Sequence, residues 1–441
     1  MDRIESVAAR IRDLRVSRHF GRVAAIRAGL VEVGGLNHIA SVGDRVALME
    51  GALSGEVIAL DPKCALVLPE GATDGLSIGA QAELLFRPAI SPCTAWIGRI
   101  VDPLGRPLDG RPLPRGAQER RYRNPPPPAA SRRRLGGRLD TGLAVFDTLL
   151  PIVRGQRIGL FAGSGVGKST LLSALARGVT ADVVVIAMVG ERGRELREFV
   201  ETTLGPEGMA RAVVVAATSD QSPLMRRRCA WAAMAVAEHF RDEGRHVLFL
   251  ADSITRFAEA HREIALASGE APSYRGFPPS TSQMIMALAE RSGPGPEGAG
   301  DITAIFSVLV AGSDMEEPVA DILRGVLDGH VVLDRVIAER GRFPAVDVLR
   351  SVSRSLPQAA TAAENALIGR ARAALGLYAE SELMIKAGLY APGSDPRLDE
   401  AVRMQPALDG FVALQSPDAG HSFRLLEDVL ANRARSAGRP V

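Results

Sequence analysis

The N-terminal part of the chain alternates short β-branched and apolar runs with glycine. Gly34, Gly35, Gly43 and Gly55 separate the runs, and no helical periodicity interrupts them. The runs are Arg22–Ile26, Gly29–Val33, Arg45–Met49, Glu56–Leu60 and Ala65–Leu68. Several short strands at near-regular spacing, with turn residues between them, are typical of a small β-barrel or sandwich. The pattern therefore predicts a small β-barrel domain over residues 21–90, which carries no catalytic constellation and is expected to serve structure or assembly.

From residue 156 to 349, apolar strands alternate with helical segments. Near-continuous apolar runs of this kind indicate strands that are buried on both faces of a parallel sheet. The runs are Arg157–Phe161, Val183–Val189, Ala212–Ala216, His246–Ala251 and Ile302–Val310. The pattern predicts an α/β core with a parallel sheet, in a domain expected to cover residues 91–357.

The last part of the chain, residues 358–441, is rich in Ala and Leu with helical periodicity. A Gly-Ser-Asp-Pro sequence is predicted to end one helix there and to open another, with Asp395 as the N-cap and Pro396 at the first helical position. The sequence therefore predicts a C-terminal helical domain.

Residues 1–20 are predicted to form an amphipathic helix. Its apolar face carries Ile4, Val7, Ala8, Ile11 and Leu14. Its arginines are Arg3, Arg10, Arg12 and Arg15. Spacing alone leaves two roles open for this helix: packing on the protein's own next domain, or docking to a partner or an acidic membrane surface through the arginines.

Residues 113–137 are expected to connect the barrel to the core. The stretch from Arg120 to Arg134 is rich in Arg and Pro and contains Pro125–Pro128. Polyproline conformation and the lack of apolar periodicity predict an extended connector. A solvated linker is the favoured interpretation, and contact of its arginines with nucleic acid is the alternative.

Composition narrows the class of protein. The 441 residues are 46% hydrophobic and 24% charged, the balance of a globular protein with large cores. Lys plus Arg number 53 against 51 for Asp plus Glu, and this net charge of +2 gives no support for nucleic acid as a partner. The three scattered cysteines form no CxxC pair and favour a reducing cytoplasm. No apolar run approaches the roughly 18 residues of a membrane span, so at most peripheral membrane association is expected.

A glycine-rich loop follows the first predicted strand of the core and precedes a helical segment. It reads Ala162-Gly163-Ser164-Gly165-Val166-Gly167-Lys168-Ser169-Thr170. In this strand–loop–helix context the sequence is a P-loop, whose glycines let successive backbone N–H groups cradle phosphate oxygens. Lys168 is expected to reach the β- and γ-phosphates of ATP, and the Ser169 hydroxyl to ligate Mg²⁺. Ala162 stands where glycine is usual.

Two other predicted strands end beside a carboxylate, Glu191 and Asp252. Because ligands lie beyond the carboxyl ends of parallel strands, both carboxylates are expected at the mouth of the P-loop. Asp252 fits a Walker B residue that holds Mg²⁺ directly or through water, and Glu191 fits the group that orients the attacking water and takes its proton. The structural alternatives are that Asp252 caps the following helix and that Glu191 pairs with Arg192 or Arg194.

Several longer motifs accompany these residues. They are Gly190–Glu195, Thr218–Asp220, Ala251–Arg256, Val308–Asp321, Leu327–Leu333, Ser351–Arg354 and Gly393–Ala401. The first, third and sixth resemble the catalytic subunits of rotary ATPases, and together the motifs resemble the type III protein-export ATPases over essentially the whole chain. Within that group, Ser219–Met225 and Ala311–Pro318 are more similar to flagellar than to virulence-type members.

The resemblance implies residue roles that spacing cannot give. It implies a RecA-like parallel-sheet core in which Glu191 is the catalytic carboxylate and Arg192 and Arg256 lie near the γ-phosphate. It further implies that Arg354 is an arginine finger inserted into the neighbouring subunit's site, and that Phe343 packs on adenine.

The resemblance also implies an assembly and its partners. The expected activity is Mg²⁺-dependent ATP hydrolysis by a homohexamer that energises or primes export of flagellar proteins. The expected partners are a stator-like regulator, a coiled-coil central stalk, an export gate and chaperone–substrate complexes. The chain departs from the family at residues 311–314, which read Ala-Gly-Ser-Asp where Glu-Gly-Asp-Asp is usual, in the loop expected around the central pore.

Other functions share the same motifs. A virulence-type secretion ATPase, or a catalytic subunit of a proton-driven synthase, would use the same chemistry, and the latter would need a non-catalytic partner chain. A hexameric RNA translocase shares the core, but the near-neutral charge and the 4% aromatic content disfavour it. A non-catalytic nucleotide-binding subunit would not need the carboxylate of Glu191.

Overall fold

The computed structural model describes residues 17–27, 29–310 and 315–431. The first 16 residues of the amphipathic helix predicted over residues 1–20 therefore lie outside the described residues. The last residue of that range, Phe20, begins a strand. The departure at residues 311–314 also lies outside them. No helix in the described ranges is long and apolar enough to cross a membrane.

Six antiparallel strands close into a barrel with the order β1-β2-β5-β4-β3-β6, and β6 pairs back with β1. The strands are β1 (Phe20–Arg27), β2 (Leu30–Gly34), β3 (Arg45–Leu48), β4 (Leu53–Leu60), β5 (Ala65–Pro69) and β6 (Gln81–Phe86). Alternate residues such as Val31 and Val33, or Val46 and Leu48, are fully buried inside it because strand side chains point in turn to opposite faces. Closure leaves the barrel no free strand edge.

The core is a nine-stranded sheet in which the order is β17-β16-β10-β15-β13-β11-β12-β8, with the short β14 beside β15. Its strands are β8 (Arg99–Val101), β10 (Arg157–Ala162), β11 (Val183–Glu191), β12 (Ala212–Thr218), β13 (Val247–Asp252), β14 (Gly293–Pro294), β15 (Asp301–Leu309), β16 (Gly329–Leu333) and β17 (Val346–Ser353). All neighbours pair in parallel except β14 with β15 and β17 with β16. The carboxyl ends of β10, β11 and β13 therefore lie at one edge of the sheet.

Both faces of this sheet are covered. Along β11, Val185 packs into one hydrophobic cluster and the next residue, Ile186, into the other. A strand that is buried on both faces reads as an uninterrupted apolar run, which is why the sequence pattern located β11 and its neighbours.

Helices lie on the sheet and form the C-terminal domain. Those of the core are Ala144–Asp147, Lys168–Gly178, Gly193–Glu198, Gly205–Met209, Pro223–Asp242, Ile254–Ala267, Ser280–Ala289, Pro318–Val326 and Arg335–Glu339, with a π-helical turn at Phe199–Leu204. Those of the C-terminal domain are Ala362–Lys386, Pro396–Val412 and Ala419–Leu430. The predicted cap at Asp395 is confirmed, since its carboxylate accepts hydrogen bonds from the backbone N–H groups of Arg397 and Leu398. The predicted architecture of barrel, parallel-sheet core and C-terminal helices is confirmed.

The connector at residues 113–137 is mostly exposed, as expected for a solvated linker, but some of its arginines also bind the core. The guanidinium of Arg133 donates to the carboxylate of Asp301 at 2.6 Å, and that of Arg132 donates to Glu290 at 3.1 Å. These partners lie more than 150 positions away in the chain, so local composition could not reveal them. A short strand pair, β7 (Ala89–Ile90) with β9 (Arg120–Arg121), ties the start of the connector to the segment that leaves the barrel.

A buried network of charges joins the barrel to the core. Glu56 of β4 accepts hydrogen bonds from Arg227 and Arg228 of the helix Pro223–Asp242, each at 2.7 Å. Arg228 also donates to Glu70 at 2.7 Å, and its side chain is only 1% exposed. Because every charge in this network has an opposite partner, the burial cost is offset and the two domains are held in one arrangement.

Candidate active site

The P-loop joins β10 to the helix Lys168–Gly178. Gly165 and Gly167 have φ angles of 77° and 86°, which residues with a Cβ rarely adopt. Gly167 stands at the N-cap and offers no side chain to bind the first backbone N–H groups of the helix. Those donors face the mouth of the loop, where the helix dipole also favours an anion such as phosphate.

Lys168, Glu191 and Asp252 meet at this mouth. The Lys168 ammonium pairs with the Asp252 carboxylate, and its Nζ lies 3.9 Å from Glu191 Oε1. The two acids are neighbours because β11 and β13 pair in parallel, with Met188 opposite Asp252. The structure thus brings together the three residues that the sequence analysis assigned to one site.

Asp252 faces the site and does not cap the next helix. The cap of Ile254–Ala267 is Ser253, whose Oγ accepts a hydrogen bond from the backbone N–H of Arg256 at 3.3 Å. The buried Asp252 carboxylate accepts a second bond from Ser307 Oγ, at 2.7 Å. The sequence analysis missed Ser307, although a hydroxyl inside an otherwise apolar strand is itself a signal of a buried polar contact.

Glu191 has the electrostatic character of a general base. Burial and, after it, the nearby charge of Asp252 raise its pKa while Lys168 lowers it, and the net result is a rise from 4.5 to about 7. A carboxyl group with a pKa near neutrality can take a proton and release it again in a catalytic cycle. The alternative in which Glu191 pairs with Arg192 is not what the structure has, since Arg192 lies 3.4 Å from Glu195 and its side chain is 80% exposed.

Arg256 borders the site from the helix Ile254–Ala267. A Cβ placed on Gly190 would lie 3.3 Å from Arg256 Cβ, so the chain just before Glu191 packs against this arginine. Its Nη1 donates to Glu259 at 2.8 Å, while its buried Nε makes no hydrogen bond. Among the described residues that Nε has no partner, and the side chain borders the segment that carries Glu191.

Phe343 lies against the P-loop. Its ring is half exposed, and a Cβ on Gly167 would come within 3.2 Å of Phe343 Cδ1. Phe343 and earlier residues of the P-loop border a cavity of about 210 Å³. Its lining residues are Ser164, Gly165, Val166, Arg335, Ala338, Glu339 and Phe343. A flat, exposed ring beside a phosphate cradle is suited to stacking on a nucleotide base.

Arg354 is not part of this cluster. It follows β17, which runs antiparallel to β16, so that Ser353 pairs with Gly329 at the amino end of the parallel strands. Arg354 is exposed there and donates to the carbonyl of Arg324 at 3.1 Å. The structure therefore separates Arg354 from the other predicted catalytic residues of its own chain.

The oxygen donors at the mouth are few. The exposed Ser169 lies in the first turn of the P-loop helix and Asp252 ends β13. Within the described ranges, no group of three or more His, Cys, Asp or Glu could hold a metal. One hydroxyl and one carboxylate fit Mg²⁺ bound together with the phosphates of its substrate, since this ion is usually held by few protein oxygens.

Comparisons with known proteins agree with this geometry. Residues 142–353 match the nucleotide-binding domain of the ATP synthase alpha/beta family, and residues 360–425 match the T3SS EscN ATPase C-terminal domain. A flagellum-specific ATP synthase of Caulobacter vibrioides is 45% identical over 425 residues, which cover 93% of this chain and 96% of that protein. The chain belongs to the flagellum-specific ATP synthase family. As a member of this family it is an ATP-hydrolysing enzyme, as the P-loop predicted.

ATPases of type III secretion systems are also similar to this chain. A type 3 secretion system ATPase of Xanthomonas euvesicatoria is 41% identical over 91% of each chain. The assembled ATPase EscN of the enteropathogenic E. coli type III secretion system superposes with a TM-score of 0.86 alone and 0.84 in complex with its central stalk EscO. Each EscN structure is 35% identical and covers 93% of this chain and 100% of its own.

Proposed function

We propose that the chain is a Mg²⁺-dependent ATPase that acts as a homohexamer and energises or primes type III export of flagellar proteins. The observation that carries the proposal is the meeting of Lys168, Glu191 and Asp252 at the mouth of the P-loop. A lysine for the phosphates, a buried acid for a metal and a second acid with a raised pKa are the parts that ATP hydrolysis needs.

Binding is assigned to the loop and its surroundings. The backbone N–H groups of residues 162–170 cradle the phosphates, Lys168 neutralises the β- and γ-phosphates, and Phe343 stacks on adenine. Ser169 and Asp252 would hold Mg²⁺, directly or through water, and the ion offsets charge on the phosphate oxygens. Ser307 keeps the Asp252 carboxylate oriented toward the mouth.

The chemical step is assigned to Glu191. Its carboxylate accepts a hydrogen bond from a water molecule and takes one of its protons as the water oxygen bonds to the γ-phosphorus. The bond from that phosphorus to the bridging oxygen breaks, and the products are ADP and inorganic phosphate. Arg256, which borders the segment that carries Glu191, and the exposed Arg192 are assigned to the γ-phosphate, whose charge spreads over its outer oxygens during transfer.

The hexamer completes the site. Arg354 is exposed at the edge of the sheet opposite its own P-loop, so it can serve hydrolysis only in a neighbouring subunit. A ring in which each subunit gives one arginine to the next needs a head-to-tail interface. Such an interface forms a closed ring when the rotations between successive subunits add up to a full turn. The assembled form of EscN supports this arrangement.

The biological role follows from the relatives. The central stalk bound by EscN supports a coiled-coil stalk as a partner here. A stator-like regulator, an export gate and chaperone–substrate complexes are proposed as the other partners, with the hexamer at the cytoplasmic base of a flagellar export apparatus, peripheral to the membrane. Flagellar export is favoured over virulence secretion because the Caulobacter vibrioides protein is the more similar, at 45% identity against 41%.

Two measurements test the proposal. Purified protein should hydrolyse ATP with Mg²⁺ and lose turnover in EDTA, and Lys168→Ala should be inactive yet melt at the parent temperature. A strain that lacks the gene should make no flagellar filaments and should regain them with the parent gene only. Normal filaments together with failed secretion of virulence effectors would instead support the injectisome alternative.

A further inference from the structure

Arg342 precedes the exposed Phe343 and is itself largely buried, with a side chain that is 10% exposed. Its two terminal nitrogens reach around Phe343: Nη1 donates to the carbonyl of Pro344 at 3.1 Å, and Nη2 donates to the carbonyl of Val346 at 2.9 Å. Val346 begins β17 and is fully buried. The guanidinium therefore ties the loop that carries Phe343 to a fixed strand of the sheet.

The same guanidinium contacts the C-terminal domain. Its Nε lies 2.9 Å from Oδ1 of Asp409, in the helix Pro396–Val412, as a charge pair and not an aligned hydrogen bond. That helix packs into the core through Leu408 and Phe411. Burial lowers the pKa of the Arg342 guanidinium. The carboxylates of Asp409, Asp347 and Asp334 oppose this effect and favour the charged form.

We propose that Arg342 is a positioning residue for the base of ATP, which acts by fixing Phe343 against the P-loop, and that its pair with Asp409 makes this position depend on the C-terminal domain. The inference rests on the proposed role of Phe343 in stacking on adenine. Arg342 itself is 10% exposed and bonds to backbone carbonyls, so it acts through its neighbour.

Three substitutions separate the parts of this arrangement. Arg342→Gln removes the bonds and the charge, and should raise the KM for ATP about fivefold with little change in kcat. Arg342→Lys keeps the charge but has one nitrogen in place of three, so it cannot reproduce both carbonyl bonds and the pair with Asp409 and should raise KM nearly as much. Asp409→Asn keeps the carbonyl bonds and should raise KM by about twofold, since the carboxylate is half exposed.

The matched control is Arg340→Gln. Arg340 pairs with Glu382 of the helix Ala362–Lys386 at 3.0 Å, so its substitution also removes an ion pair to the C-terminal domain. It leaves the carbonyl bonds of Arg342 in place, and the KM for ATP should stay at the parent value.

A double-mutant cycle with Phe343→Ala shows whether Arg342 acts through Phe343. Phe343→Ala should raise KM about tenfold, the worth of one base–aromatic stack. In that background Arg342→Gln should add nothing, and neither change should alter the inhibition constant of tripolyphosphate, which has no base. Melting curves confirm that each variant is folded.

The outcomes point to different failures. A parent KM in Phe343→Ala contradicts the stacking role within the proposed function. A raised KM in Phe343→Ala with a parent KM in folded Arg342→Gln, or full additivity in the double variant, contradicts the role of Arg342. A parent KM in Asp409→Asn, or a raised KM in Arg340→Gln, contradicts the specific link to the C-terminal domain.

Discussion

Lys168 and Arg354 lie at opposite ends of the strands of one sheet, Lys168 beyond the carboxyl ends and Arg354 at the amino ends of the parallel strands. Lys168 begins the helix beyond the carboxyl end of β10, whose last residue pairs with Leu333 of β16. Arg354 follows the residue that pairs with Gly329, at the other end of β16. Four steps of strand, about 13 Å, separate Gly329 from Leu333, so Lys168 and Arg354 follow strands at opposite ends of β16.

This separation predicts that Arg354 acts in trans. Arg354→Ala should bind ATP and form hexamers, yet hydrolyse about 10³-fold more slowly, because a guanidinium against the transferring phosphate offsets charge in the transition state. When it is mixed with inactive Lys168→Ala, some interfaces pair an intact loop with an intact arginine. ATPase activity should return in the mixture, as measured by phosphate release across mixing ratios. Parent activity in hexameric Arg354→Ala would overturn the assignment.

Glu191→Gln should separate binding from turnover. The amide is the same size but cannot take a proton, so turnover should fall by about 10² or more while Mg-ATP still binds. A fluorescent nucleotide titration beside a phosphate-release assay distinguishes the two. Loss of binding along with turnover would show that Glu191 has a structural role.

The raised pKa of Glu191 also predicts a pH profile. Only the ionised carboxylate can accept the proton, so kcat/KM in the parent should rise with pH through a midpoint near 7. The residual rate of Glu191→Gln should not show this rise between pH 5.5 and 8. That range extends about one and a half pH units below the midpoint and about one unit above it. A parent profile that is flat across pH 7 would contradict the assignment of the base.

The same pKa shift has a consequence for stability. Between about pH 4.5 and 7 the folded chain holds more protons at Glu191 than the unfolded chain does, so this group's contribution to stability falls as pH rises through that window. Glu191→Gln carries no such charge. Its melting temperature should exceed that of the parent at pH 8, and the difference should shrink toward pH 5. A difference that is constant with pH would mean that Glu191 is not buried in its ionised form.

The barrel–core network predicts a large effect from a small change. Glu56→Gln leaves Arg227 and Arg228 buried with too little opposite charge, which should cost about 3–5 kcal/mol of unfolding free energy. The control is Glu201→Gln, because Glu201 pairs with Arg197 at 2.9 Å on the exposed surface, where such pairs contribute about 0–1 kcal/mol. Denaturant unfolding measures both. Equal effects of the two substitutions would show that the network is not sealed from water.

The parts of the site that the sequence predicted are those set by local pattern. The loop from Ala162 to Thr170 contains its own glycines and lysine and lies between a strand and a helix. Its geometry therefore depends on consecutive residues. Glu191 and Asp252 were found because each ends an apolar strand, and parallel strands in one sheet end at one edge. A rule of topology thus converted two distant positions into neighbours.

The parts that the sequence did not predict depend on contacts between distant residues. Ser307 meets Asp252 across 55 positions, and Arg133 meets Asp301 across 168. The strand β8 is three residues long and joins the sheet through β12, far along the chain, so no periodicity could mark it. The role of Arg342 depends on two carbonyl groups, which any residue type could have supplied.

The four charges that join the barrel to the core also constrain how the sequence of this protein can evolve. Arg228 contacts both Glu56 and Glu70, and Arg227 shares Glu56, so each charge has at least one opposite partner in the other domain. Replacing one of them leaves the others buried without enough opposite charge. Replacing a complementary set with apolar groups need not leave any charge unpaired. Among related sequences these four positions should therefore covary. A barrel transplanted from a relative should be tolerated only when its partner arginines come with it.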